Sequence, residues 1–600
     1  MTGGSHPQRK DSTMKRRLLS GTVSLMLISA LFVGLDLSFD IIPKVSSGLI
    51  EVDDSGGKDY LTIQEGVDAA IPGDTVFVYS GFYDEDVIIE KTINLTGENR
   101  DTTIINGSGG GGSIWARYAD FINVSGFTFQ NGGTGISIHY SNYSRVENCK
   151  SILNQYGIIV SNSNGSVVKG NIASNNSDYH GIYLEGSTNI TVKNNTCSNN
   201  TAHGIRLQSL SNNNKIANNV CSNNYGGISV GSSTNNLIIN NTVDLNSYYG
   251  LGIFSDNNTF IENQIISNYV GVRSNALIDD TNRLINCTLV SSTSKDIDKG
   301  SLDNLILLNT TFNKSKTSFQ GVLSILEVQW YLHINVIDIL GNPVPNVNIK
   351  IKDNNNGSYN ETFSTDSMGY LRWLTVTEYI EQDTDGDTIG EKKYYTPHKI
   401  IAWNDTLVGY AQPFMNESKT VTIILYNGTF LELEPGWNLI SLPRIQSNTN
   451  LQTIVQSIEG QYDAVQWYNI TDTNDPWKHN HISKPSNLND LDEINHTMGF
   501  WIYIIDTQGT TLIVFGDVLT ITQNITLYPG WNLVGFPSKS NKTRDIALNG
   551  IFYGSDIDSI WTYNASIHKW VELDESIDYF EVGQGYWIHS KVTKTWNVPL

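Results

Sequence analysis

The chain is short of several things at once: cysteine occurs 4 times in 600 residues, proline 14 times and methionine 6 times, and charged residues make up only 16%. Four cysteines cannot staple a chain of this length, so its stability comes from buried surface and backbone pairing, not from a disulfide framework. Scarce proline beside 52 glycines excludes a collagen-like or polyproline rod. A low charged fraction with 39% hydrophobic residues excludes a disordered chain. Positive charge is the scarcer sign, 38 Lys and Arg against 60 Asp and Glu, for a net charge of −22. No nucleic-acid partner is expected, because neutralising phosphates needs a Lys/Arg surface. Long apolar runs are missing but for Leu18 to Leu35, which follows Lys15-Arg16-Arg17. A positive stretch leading into such a run reads as a signal peptide or a retained anchor, assigned to residues 1–45. The remainder is expected to be secreted or displayed at the cell surface, meeting a membrane only through that segment. Numerous Asn-x-Ser/Thr sequons fit an exported glycoprotein.

What the chain does have is repetition. NNTCSNN (Asn194 to Asn200) returns 24 residues later as NNVCSNN (Asn218 to Asn224). Glycine followed by an aliphatic residue recurs at Gly135, Gly157, Gly181, Gly204, Gly227, Gly250 and Gly271, in steps of 21 to 24 residues. A short alternating strand follows most of these glycines (Ile182-Tyr183-Leu184, Ile205-Arg206-Leu207). A polar turn, a second strand such as Ile190-Thr191-Val192 and an Asn-rich turn complete the unit. Period-two alternation sends one set of side chains inward, and the fixed step stacks each unit on the previous one, about 4.8 Å apart. The duplicated string then reads as a turn on neighbouring coils, with asparagine amides bonding along the stack. Cys197 and Cys221 share a position that other coils fill with Ala173, Val243 and Ile266, which suits a small buried hydrophobe; a Cys197–Cys221 disulfide is the alternative.

A coiled stack needs a cap. Tyr60 to Tyr79 offers one: Thr62 and Glu65 form a capping-box pattern, Ile63, Val67 and Ala70 share a helical face, and Pro72-Gly73 ends it. On the strings TIQEGVDAAIPGDTVFVYSGFYDEDV and HGIYLEGSTNITVKNN, residues from about 60 to 315 resemble the NosD-type and pectate-lyase-like right-handed parallel β-helix superfamily. The resemblance implies the fold; its members include lyases, hydrolases, copper-maturation accessories and surface proteins, so function must come from the site.

The expected fold class is all-β: a right-handed parallel β-helix solenoid over 49–322 with an N-terminal helical cap, then a β-sandwich spacer over 326–428 and two homologous small β domains, 429–522 and 523–600. Leu332 to Trp373 resembles a carboxypeptidase-regulatory or transthyretin-like sandwich. Inside it, DTDGDTIGE places Asp383, Asp385, Asp387 and Glu391 at calcium-loop spacing and resembles a thrombospondin type-3 repeat, with Thr388 where the turn glycine belongs. The C-terminal duplication pairs PGWNLISLP (Pro435 to Pro443) with PGWNLVGFP (Pro529 to Pro537) and GFWIYI with GYWIHS. Trp437 to Trp467 and Trp531 to Trp561 both span 30 residues. These modules resemble paired PGWNLV…GYW units of microbial surface proteins, and they hold nine of the 13 tryptophans, read as core of small sandwiches, with stacking on sugars as the alternative.

Mapping one coil onto the next puts Tyr183 and Glu185 beside Arg206 and Gln208, with His180 and His203 stacked before their glycines. This is the one cluster combining a base-capable group, a carboxylate and imidazoles, so Arg206, Glu185, His180 and His203 are the catalytic candidates, Tyr183 and Gln208 the binding ones. A lyase would use Arg206 as base with Ca²⁺ acidifying the proton, and a hydrolase would need a second carboxylate beside Glu185. The histidines read equally as part of an aromatic ladder with Tyr156, Tyr225 and Tyr249. Copper is not expected, because His, Met and Cys do not converge. The leading expectation is a surface protein that binds polysaccharide or envelope glycan without catalysis; a polysaccharide lyase, hydrolase or epimerase is the alternative, and a NosD-like copper-site accessory a weaker one.

Overall fold

A computed structural model describes residues 48–600 except 108–110, 277–280, 301 and 355–357. The export segment assigned to 1–45 lies outside the described residues. Among these, no helix is long and apolar enough to cross a membrane. The described residues form two compact units, one of residues 48–331 and 375–393, the other of 332–374 and 394–600.

The first unit is a right-handed parallel β-helix. It opens with strand Leu49–Val52 and helix Ile63–Ala69, whose N-cap Thr62 accepts from Glu65 N and whose Ile63 and Val67 are buried. Each coil has three strands, one more than the sequence suggests. They stack into three parallel sheets: one starts at Leu49–Val52, a second of 10 strands starts at Gly81–Asp84, and a third of 11 strands ends at Val87–Ile89 and Thr317–Phe319. The overlooked strand is the middle of the duplicated string itself: Thr196–Ser198 pairs in register with Val220–Ser222. With only three residues and one inward side chain, it carries too little alternation to be told from a turn.

That string divides its labour residue by residue. Asn194, Asn199, Asn218 and Asn223 have φ between 54° and 57°, the left-handed conformation that asparagine tolerates better than other side-chain-bearing residues. The asparagines after them point inward and bridge coils. Asn195, Asn219, Asn241 and Asn263 form one buried ladder, each Oδ1 accepting the backbone N–H and Nδ2 of the residue one coil earlier at 2.9 to 3.0 Å. Asn176, Asn200, Asn224, Asn246 and Asn268 form a second. These amides satisfy backbone groups that the corners would otherwise bury unpaired. Between the ladders, Cys197, Cys221, Val243 and Ile265 stack inward, all 0% exposed, each such side chain contributing roughly 1.5–3 kcal/mol on the scale of buried aliphatics. Ile265, not Ile266, fills this row, a one-residue error that in a strand reverses the face. Both cysteines are free thiols, so the disulfide alternative is not realised.

At the far end, residues 375–393 belong with the solenoid, which takes the Asp383–Glu391 loop out of the sandwich to which its sequence position assigns it. Phe319 in the last strand of the third sheet donates its N–H to Thr388 O. A Cβ at Gly390 would come 2.4 Å from the Phe319 ring, so only glycine lets the hairpin approach. Glu378, 3% exposed, accepts from Trp330 Nε1 at 2.6 Å and from Lys314 Nζ at 2.7 and 2.6 Å.

The second unit contains a six-stranded sheet that crosses the 428/429 boundary expected from sequence: Tyr426–Leu433 pairs with Leu407–Ala411 on one side and with Thr510–Phe515 on the other. Two four-stranded sheets with the same strand order follow. Gly436–Ser441, Gly499–Ile504, Tyr462–Tyr468 and Trp477–His481 form one; Gly530–Gly535, Gly585–Ser590, Ile557–Asn564 and Lys569–Glu572 form the other. The repeated Pro-Gly-Trp-Asn is a turn with a clamp. Gly436 and Gly530 have φ of 84° and 107°, while Asn438 and Asn532 accept from the N–H four residues back and donate to the carbonyl of that same residue.

Candidate functional site

On the outer face of the third sheet the register places Tyr183 beside Arg206 and Glu185 beside Gln208. Arg206 is tied to its own face: Nε donates to Gln208 Oε1 at 2.8 Å and Nη1 to His203 Nε2 at 2.8 Å. Because guanidinium only donates, His203 Nε2 is the acceptor and the ring proton sits on Nδ1, which is buried with no partner. Tyr249 Oη lies 3.1 Å from the same Nε2. His180 accepts from the His203 backbone N–H through Nδ1 at 3.3 Å, and the two rings stack with centroids 5.1 Å apart. Burial, reinforced by the neighbouring imidazole and Arg206, pushes His180 down to about 3; burial and then Arg206 push His203 down to about 4. Both imidazoles are therefore neutral near pH 7, with their lone pairs engaged inside the protein. Glu185 accepts from Ser161 Oγ at 3.4 Å. Burial, then the Glu185 charge, raises the Tyr183 phenol.

Beside this face runs a row of rings that the sequence hints at only in part. The residues two before the coil glycines are Tyr179, Ala202, Tyr225, Tyr248 and Tyr269, linked coil to coil by Ala202 N to Tyr179 O and Tyr248 N to Tyr225 O, both 2.9 Å. Tyr179, Tyr225 and Tyr269 are 44%, 46% and 48% exposed. Tyr179 stacks on Tyr156 at 4.2 Å and 7°, His203 on Tyr225 at 6.2 Å and 11°, and Tyr225 packs on Tyr248 at 4.9 Å. Arg273 lies over Tyr248, 5.1 Å from its centroid. The signal was available in the sequence as tyrosine at a constant offset from glycine, blurred by Tyr156 and Tyr249, which stand one position nearer to theirs.

In the hairpin, carboxylate oxygens of Asp383, Asp385 and Asp387 lie within 4.8 Å of one another. Asp383 accepts from Gly386 N and Thr388 N, and Asp387 from Ile389 N. Glu391 is not one of the converging groups: its Oε2 accepts from Thr384 N and Oγ1, both at 2.7 Å, which lowers its pKa. The four cysteines are buried, and burial pushes the Cys149 thiol up to about 12 and Cys287 to about 11.

The tryptophans of the C-terminal repeats do not form the repeats' cores, contrary to the sequence expectation, except for Trp596, which is fully buried, and Trp467, which packs against the first core. The cores are aliphatic and Phe/Tyr: Ile440, Phe500 and Ile502 in one repeat, Val534, Tyr586 and Ile588 in the other. The equal 30-residue spacing also misleads. Trp561 pairs with Trp587 where Gln466 pairs with Trp501, so Trp561 takes the place of Gln466 and Trp467 faces the other way.

The NosD family, described as "Periplasmic copper-binding protein (NosD)", matches residues 67–214, and the family described as "Right handed beta helix region" matches 180–312. No curated protein matches the chain. Similar solved structures include the A-module of mannuronan C-5 epimerase AlgE6 from Azotobacter vinelandii, 18% identical with a TM-score of 0.38, covering 44% of this chain and 83% of that one. PfbA, a surface adhesin of Streptococcus pneumoniae, is 17% identical with a TM-score of 0.35, over 45% of this chain and 85% of that one. Pectate lyase Pel9A is 14% identical with a TM-score of 0.34, over 45% and 80%.

Proposed function

We propose that this chain is an extracytoplasmic surface protein whose solenoid holds an extended glycan without turning it over. The observation that carries the reading is the row of half-exposed tyrosines at Tyr179, Tyr225 and Tyr269, with Tyr248 between the last two. Its rings recur with the coil except at Ala202, so sugars of an extended chain meet Tyr179 on one side of that gap and the run from Tyr225 to Tyr269 on the other. Strands and coil-to-coil bonds hold the rings in place beforehand, which lowers the ordering cost of binding. The net charge of −22 favours an uncharged glycan, since a polyuronate would need bridging cations.

The polar cluster beside the row supports binding over catalysis. Arg206 is engaged by Gln208 and His203, and neither imidazole offers a free lone pair to take a proton or ligate copper. Purified protein incubated with neutral and acidic polysaccharides, with and without Ca²⁺, is expected to retain a neutral polymer and release no reducing ends or unsaturated products. Removing three rings together (Tyr179→Ala, Tyr225→Ala, Tyr269→Ala) is expected to weaken retention roughly 100-fold, at about 1 kcal/mol per stacked ring. Turnover that Arg206→Ala abolishes would replace this reading with the enzymatic one.

A further inference from the structure

A second feature, in the other unit, is independent of the tyrosine row. Trp477, Trp501, Trp531, Trp561, Trp570 and Trp587 line an open groove of about 660 Å³ between the two C-terminal sheets. Three of the six indoles are 40% exposed or more: Trp477 and Trp531 at 40% and Trp570 at 50%. Their planes meet at steep angles: 61° for Trp477 with Trp587, 74° for Trp501 with Trp570 and 81° for Trp531 with Trp587. A patch of large aromatics left facing water is costly, and its volume falls in the roughly 300–1,000 Å³ range of ligand sites.

The chemistry of the walls selects the occupant. The lining is indole alone, without an ionised side chain, so an anion would lose its hydration with no counter-charge in return. The surface turned to the groove is almost wholly ring carbon. The groove is open, with Trp477, Trp531 and Trp570 40–50% exposed, so an acyl chain laid in it would keep one side in water. A ligand with an apolar face and a polar opposite rim covers the rings and keeps its hydroxyls hydrated. We infer that the tryptophan groove binds uncharged pyranose units of a glycan, with C–H faces on the indoles and hydroxyls turned to water.

The test is isothermal titration of the full chain with neutral β-1,4-linked hexasaccharides of glucose and of mannose, a hexauronate, choline and decanoate. The titration is run on the wild-type chain and on a chain carrying Tyr179→Ala, Tyr225→Ala and Tyr269→Ala; in the second the expected result is binding of a neutral hexasaccharide, weakened at least 10-fold by adding Trp531→Ala or Trp570→Ala. The triple background removes the solenoid row, so a failure of the row and a failure of the groove give different results. Trp570→Phe, which keeps a smaller ring face, is expected to fall between wild type and Trp570→Ala. Should an alanine variant fail to fold, saturating hexasaccharide on the wild-type chain is expected to reduce acrylamide quenching of tryptophan fluorescence. Binding of choline or decanoate in preference to the sugars would overturn the inference. So would hexasaccharide binding indifferent to both tryptophan variants, or no binding and no protection by either neutral sugar.

Discussion

Trp501 of the first C-terminal repeat lies against Trp570 of the second, ring centroids 5.5 Å apart, and Trp587 of the second lies against Trp477 of the first at 5.8 Å. The exchange is reciprocal in the backbone as well. Ile440 bridges to Gln584, and its counterpart Val534 bridges to Met498, the counterpart of Gln584. The repeats therefore meet as two subunits of a symmetric dimer do, each offering the same patch to the other. Trp501→Ala and Trp587→Ala are each expected to destabilise the chain by about 2–3 kcal/mol, less than a fully buried tryptophan because both are partly exposed. Urea denaturation followed by near-UV circular dichroism measures it, and a loss below 0.5 kcal/mol in both, on the roughly ±0.5 kcal/mol scale of ordinary surface changes, would contradict the exchange.

The asparagine ladder gives a second prediction. Asn219 accepts from Asn195 N and Nδ2 and donates to Val192 O and Asn241 Oδ1, all while 0% exposed. Asn219→Leu leaves several buried groups without partners, at about 1–3 kcal/mol each, and is expected to cost about 3 kcal/mol or more. Hydrogen exchange should localise the loss to the coils around residues 192–241.

Lys299 and Asp303 form an ion pair at 2.6 Å with both side chains 0% exposed; burial, opposed by Asp303, brings Lys299 down to about 8. Lys299→Met alone strands a buried carboxylate and is expected to cost about 3–5 kcal/mol. Adding Asp303→Leu should recover most of that loss, and thermal melts of the three proteins decide it.

The histidine beneath Arg206 sets a pH dependence. His203 titrates near 4 when folded, chiefly through burial and then Arg206, against 6.5 when exposed. The unfolded chain thus takes up a proton first as pH falls. The stability carried by the neutral ring is complete above pH 6.5 and is lost between pH 6.5 and 4. From pH 7 to 4.5, wild type is expected to lose about 2–3 kcal/mol more than His203→Gln, which keeps an acceptor for Arg206 and has no titrating ring. Urea midpoints at the two pH values measure the difference.

Cys197 and Cys221 are neighbours in register yet free, and Cys221 is raised well above the ordinary thiol range by burial and by Cys197. Iodoacetamide is expected to leave the folded protein unlabelled and, after unfolding without reductant, to add four carbamidomethyl groups by mass spectrometry.

The solenoid was legible because glycine and an aliphatic residue recur at a step that only a stacked coil explains, and Thr62 announced the cap. What stayed hidden has local physical causes. Thr196–Ser198 is too short to show a period. Trp561 sits one place off its apparent equivalent because a bulge falls at different sequence distances in the two repeats, and one residue in a strand exchanges inside for outside. The Asp383 hairpin packs by long-range contact with Phe319, which nothing near it in sequence signals. The site was partly legible: coil mapping placed Tyr183, Glu185, Arg206 and Gln208 together, while the tyrosine row needed the true coil register to separate two adjacent columns.

Each amide in the asparagine columns takes its acceptor from one neighbouring coil and supplies its own to the other, so no coil holds a bond that the next could not provide. A coil is in that sense interchangeable. Inserting one more coil would lengthen the stack by one step while the corner amides on either side stay paired, and the near-identity of Asn194–Asn200 and Asn218–Asn224 is the pattern that such interchangeability allows.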